Sequence, residues 1–284
     1  MISIEIPHKK KFLYMPENLA ECDGRQFADL AKIIWMAKEK KISFMDMKIA
    51  AVYALLGLKR SKKVSEETTE NVNRLSIFVE NFFEKDEDGN LIEIKLDFQN
   101  NHYPKFWLFG DFFGPEDGFK YVTFGQYVDG LDEYIYYTNT GDIEALRMLF
   151  AIFYMKKGEK YDYKISRKRA KSIFKYVDIR HLYGFYLFFS SIQTYVLGGE
   201  INVMGNPIDL SLIYTTSGVE KFVSNIPGTG MRSIISELAE SQVFGPYKEV
   251  EQTNMWMVLV RLYELKKKEL DEQERSKNNE TTRT

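Results

Sequence analysis

Spacing of apolar residues divides the chain into short alternating stretches and longer helical ones. Ile2, Ile4 and Ile6 share one face of a leading strand, with Ser3 and Glu5 on the other. From Arg25 to Lys41, Phe27, Leu30, Ala31, Ile34, Trp35 and Ala37 recur at three- and four-residue steps and predict a helix with one buried stripe. A second helix is expected from Ser43 to Leu58, with Gly57 near its end, and a third from Ser65 through Phe83. The pattern changes at LIEIKLDF, residues 91–98, where Ile92, Ile94, Leu96 and Phe98 alternate with charged residues as in a half-buried strand. Helical spacing returns over Thr123 to Tyr137, Asp142 to Tyr154, Ser166 to Val177, Ile179 to Leu197, Ser233 to Gln242 and Thr253 to Arg275. NTGD at 139–142 supplies a stop glycine and a start aspartate, predicting a helical hairpin.

The expected fold is therefore a mainly α multi-helix globular protein with a minor β component. Its parts are an N-terminal helical region 1–90 with a short leading strand, a β and aromatic-loop insertion 91–122, a C-terminal helical region 123–275 and a disordered tail 276–284. One continuous core is equally compatible with this length. The apolar run from Leu182 to Leu197 is shorter than the roughly 20 residues of a membrane span and carries Ser190, Ser191, Gln193 and Thr194, so no span is expected. The opening MISIEIPHKKKF lacks the apolar core of a secretory signal.

Composition sharpens two points. Aromatic residues make up 15% of the 284 residues, which makes a partner interface a live question, since large rings dominate interfaces as well as cores. Net charge is −2, so the chain as a whole lacks the cationic excess of a general nucleic-acid binder. Cys22 stands alone, which excludes an intrachain disulfide and a Cys-rich zinc site.

Local chemistry is sparse. His8, His102 and His181 lie in distant segments without metal-ligand spacing, and Cys22 has no neighbouring base in sequence; a loop role suits His102, a partly buried one His181, and a semi-buried thiol Cys22. IPGTGMRS at 226–233, with Gly228, Thr229, Gly230 and Arg232, offers a glycine-rich turn before a helix, but matches no phosphate-loop pattern. Asp129, Asp132 and Glu133 sit at helical spacing suited to sharing a metal or a proton; a solvated helix face is the simpler reading. No cofactor is expected. Two stretches stand out for binding. Residues 156–175 hold nine Lys and Arg, among them Arg167, Lys168, Arg169 and Lys171, against Glu159 and Asp162, a local charge of +7. With Tyr161, Tyr163, Phe174 and Tyr176 interleaved, this basic patch suits a nucleic-acid backbone or an acidic protein, a hydrated connection being favoured over nucleic acid. Trp107, Phe109, Phe112 and Phe113, four rings in seven residues, either plug the core or anchor a partner. Trp256 and Tyr263 on the last helix are further interface candidates.

Residues 114–154, YGFYLFF at 183–189 and ESQVFGPYKEVEQTNMWMVLVRLYELK at 240–266 together resemble uncharacterised proteins encoded among the tail genes of tailed bacteriophages and prophages. The resemblance covers the C-terminal two thirds and transfers no site residue. It implies a non-catalytic role in morphogenesis, as a tail-assembly chaperone or a virion structural subunit. The expected partners are other phage or prophage proteins, with a homo-oligomer among them, in the host cytoplasm or incorporated in a virion. The rival class is an enzyme whose site is assembled from distant residues.

Overall fold

The structure is a computed structural model that describes residues 1–6, 10–61, 65–198, 200–203, 206–214 and 231–281. Side-chain caps fix most helix starts. Helix α1 (Gly24–Lys38) begins at Asp23, which accepts from the Gln26 N–H while the Gln26 side chain accepts from the Asp23 N–H. Ser43 and Ser65 cap α2 (Phe44–Leu55) and α3 (Glu66–Ser76), each hydroxyl accepting from the N–H three residues on, that of Asp46 and of Thr68. The third helix stops short of Phe83 and tightens into a 3₁₀ turn, Ile77–Phe82, whose three-residue period puts Val79 and Phe82 together in the core.

Among the described residues, strands occur as four separate antiparallel pairs: β1 (Ile2–Ile6) with β2 (Lys11–Met15), β3 (Phe83–Lys85) with β4 (Leu91–Ile94), β5 (Lys105–Trp107) with β6 (Asp111–Phe113), and β7 (Glu200–Val203) with β8 (Asn206–Asp209). The alternation of 91–98 forms a strand only as far as Ile94. Beyond it the backbone turns to Ser191, whose hydroxyl accepts from the Phe98 N–H at 3.2 Å and faces the carbonyls of Leu96 and Phe98. A buried helix hydroxyl thus replaces the missing strand partner.

The second half is built from α4 (Phe124–Thr140), α5 (Ile143–Phe153), α6 (Tyr163–Lys171), α7 (Ile179–Gly198), α8 (Met231–Glu240), α9 (Tyr247–Gln252) and α10 (Met255–Thr281). Gly141 ends α4 in the left-handed conformation and Asp142 caps α5, giving the expected helical hairpin. Helix α6 begins three residues earlier than its apolar spacing suggested because Asp162 caps it, and it ends at Lys171 before a 3₁₀ turn, Ile173–Tyr176. Helix α7 is buried on nearly every side from Leu182 to Gln193 and forms the centre of the molecule, packed by α1 and α5. Gly130 of α4 lets it approach this centre: a Cβ there would stand 2.6 Å from the Phe153 ring. Phe119, Phe153, Phe185, Phe188 and Phe189 interlock around the crossing, so much of the aromatic excess is core.

Residues of the regions 1–90, 91–122 and 123–275 share one apolar cluster, from Phe27 and Val79 through Phe98 and Phe119 to Phe185 and Leu259. Helix α10 continues to Thr281, through the first part of the segment expected to be disordered, with Lys266 paired to Glu269 at 3.0 Å along its exposed length. Among the described residues, no helix is long and apolar enough to cross a membrane.

Candidate interaction surface

The β5–β6 hairpin sorts its rings by strand alternation. Phe106 and Phe112, directly paired, both point inward: Phe106 packs on Phe150 and His181, and Phe112, 1% exposed, on Phe174. Trp107 and Phe113 point outward, and Phe109 sits in the turn at a φ of +52°. Trp107 is 71% exposed and Phe109 73%, whereas Phe113 is 36% exposed. The choice between core and interface therefore splits residue by residue, and Phe112 is corrected to a core residue. Tyr176, from the turn after α6, is 62% exposed and meets the Phe109 ring edge-on at 6.1 Å. Lys105 is paired to Asp111 at 2.9 Å across the hairpin.

Backbone pairing brings the basic stretch to this hairpin. The Phe113 N–H donates to the Met155 carbonyl at 2.8 Å and the Met155 N–H donates back at 3.0 Å, so the α5–α6 loop leaves alongside β6. Arg169 anchors that loop from within. Its guanidinium is buried, pairs with Glu159, and donates to the carbonyls of Ala151 (3.2 Å) and Tyr154 (2.8 Å) at the end of α5. Arg169 is thus a structural cation, a correction to its place in the surface patch. Arg167, Lys168 and Lys171 remain exposed, as do Lys156, Lys157, Lys160, Lys164 and Lys175. No described residue forms an ion pair with any of these eight side chains. Removing the internal Arg169–Glu159 pair leaves the stretch at +7. Between hairpin and helix lies an open cavity of about 540 Å³ lined by the apolar side chains of Phe112, Ile165 and Ile173 and by Lys156, Lys157 and Lys168. The two features read separately from sequence form one surface.

The other candidates are engaged internally. Trp256 is partly buried and its indole N–H donates to the Gly118 carbonyl at 2.9 Å; Tyr263 is partly buried on the core-facing side of α10. Trp256 thus packs on the fold through one edge and stays partly exposed. Asp129 is buried, which overturns the solvated-face reading for it: it accepts from the Tyr161 hydroxyl and from Arg232, which also bonds Asp132 at 3.0 Å. The Arg232 guanidinium is therefore committed to two carboxylates, and Gly228, Thr229 and Gly230 lie outside the described residues. Burial, reinforced by Asp132, Asp129 and Asp142, pushes Glu133 up to about 7. No group of three His, Cys, Asp or Glu among the described residues has the geometry to hold a metal ion.

His102 stacks on Phe27 at 3.9 Å with its Nε2 2.9 Å from the Leu19 carbonyl, and burial pushes His181 down to about 4. His8 lies outside the described residues. Cys22 is buried and its thiol is pushed up to about 12 by desolvation, which suits packing rather than nucleophilic attack. Sequence reasoning missed the pairing of Phe109 with Tyr176 and the buried Asp129 cluster, because each joins residues far apart in the chain. The period-two spacing of Lys105, Trp107, Asp111 and Phe113 was the available signal for the outward face. No family model matches the chain, and comparison with the curated proteins and with the solved structures finds no match.

Proposed function

We propose that the protein acts by non-catalytic binding and holds an anionic macromolecular partner on the face shared by β5–β6 and α6. One observation carries this reading: Trp107, Phe109 and Tyr176 stand largely exposed beside eight cations that no described residue neutralises. Exposed rings of this size are costly to leave in water, and unpaired like charges repel one another, so both features are relieved together by an anionic ligand with flat or apolar groups. Affinity chromatography on immobilised heparin tests it. Although the chain carries −2 overall, the wild type is expected to be retained at low salt, and K168E/K171E to pass through with an unchanged melting temperature. Passage of the wild type would refute the reading.

The working context rests on the sequence resemblance: assembly of a phage or prophage tail, or incorporation in its particle, with other phage components as partners. Co-purification with finished particles supports a structural subunit. Transient association with tail proteins, absent from particles, supports a chaperone. A gene placed in a metabolic operon counts against both.

A further inference from the structure

We infer that the partner held on this face is a single-stranded nucleic acid, bound with little regard to sequence. The inference rests on the proposed binding role and names its ligand. Three arguments carry it. Lys164, Lys168 and Lys171 recur at one-turn steps along α6, and Lys175, in the 3₁₀ turn after the break at Ser172, lies over the Tyr176 ring at 4.8 Å; all four are exposed and without an ion-pair partner among the described residues. A row of cations is complemented by a row of anions, and a phosphodiester strand supplies one at every residue. A protein partner fits less well, because interface centres are depleted in lysine and drying these ammonium groups without individual partners is costly.

The rings give the second argument. Tyr176 meets both Lys175 and Phe109, Trp107 is exposed on the same hairpin, and every base has a face to stack on such rings whatever its identity. Base faces are hidden in a duplex and available in a single strand. Third, the charge is concentrated. Residues 156–175 carry +7 in a chain of −2, leaving −9 on the remainder, so the net charge favours a polyanion at this face over the rest of the chain taken as a whole.

The test is fluorescence anisotropy of the full chain with fluorescein-labelled 20-mers of oligo-dT and oligo-U, a 20-bp duplex, and a poly-glutamate peptide. Both single strands are expected to bind at 50 mM salt and the duplex more weakly. With about four phosphate contacts, affinity falls about 50-fold between 50 and 200 mM salt. Replacing both tip rings in W107A/F109A weakens binding about tenfold or more with the salt slope kept. K164E/K168E/K171E abolishes it, with circular dichroism and melting temperature as wild type. Absent single-strand binding, equal binding of the duplex, or an unaffected W107A/F109A variant would each overturn the inference. Binding of poly-glutamate without the oligonucleotides overturns it while leaving the broader binding role standing; binding of no anion removes both.

Discussion

At the scale of single residues, the polar groups that matter most are those with partners far along the chain. Arg169 joins Glu159 to the end of α5, and losing it strands a carboxylate and two carbonyls in a poorly solvated site. Arg169→Met is expected to cost about 3 kcal/mol in urea unfolding; a loss under about 0.5 kcal/mol would show that the pair contributes only surface electrostatics. Glu133 predicts a pH effect. Its carboxyl, ordinarily near 4.5, is held up to about 7 by burial and by Asp132, Asp129 and Asp142, against Arg232. A raised carboxyl pKa means the folded state binds the proton more tightly than the unfolded chain. Stability is therefore lost as pH rises from about 4.5 to about 7, and the cost is fully present above that. In Glu133→Gln this loss should vanish, so that the variant gains melting temperature over wild type between pH 5 and pH 8; parallel curves would contradict the assignment. The closeness of Glu133 to Asp129 and Asp132 was legible as helical spacing; their burial and the Arg169 and Arg232 partners were not. Asp129 and Arg232 are 103 residues apart, and helical spacing alone described Asp129 as a solvated face.

Among elements, local signals proved readable and cross-chain ones did not. Asp142, Gly141 and Ser65 set helix ends by bonds within a few residues, so the corresponding boundaries follow from sequence. LIEIKLDF misleads because its second half finds Ser191, 93 residues from Phe98, instead of a neighbouring strand. The aromatic segment was too broken by Gly and Pro to read as a helix, yet its hairpin register is what decides which rings face out. Close packing of α4 against α5 and α7 gives a further test at this scale. Gly130→Ala places a methyl 2.6 Å from the Phe153 ring and should destabilise the fold by about 1–3 kcal/mol, measured by thermal or urea unfolding. A neutral result would mean that the Phe153 ring moves aside freely.

For the whole molecule, a single apolar cluster takes up most of the rings; others, such as Tyr14, Tyr121 and Tyr136, stand exposed elsewhere, and Trp107 and Phe109, the most exposed of the rings among the described residues, lie at one hairpin near a basic helix. Composition signalled an aromatic excess but had no means of dividing it between core and surface, since that division depends on strand register and on which segments the Phe113–Met155 bridge brings together. Charge follows the same logic: near-neutral in total, it is sharply divided between one stretch and the rest. The central claim is that this face is where the protein grips its partner. Lysine-modification footprinting of the full chain, free and with excess oligo-dT or poly-glutamate, is the test, because the exposed Lys267 and Lys268 on α10 provide an internal reference. Strong protection of Lys164, Lys168, Lys171 and Lys175 by at least one of the two anions is expected, with Lys267 and Lys268 unchanged. Protection spread evenly over both groups, or absent from α6, would contradict it.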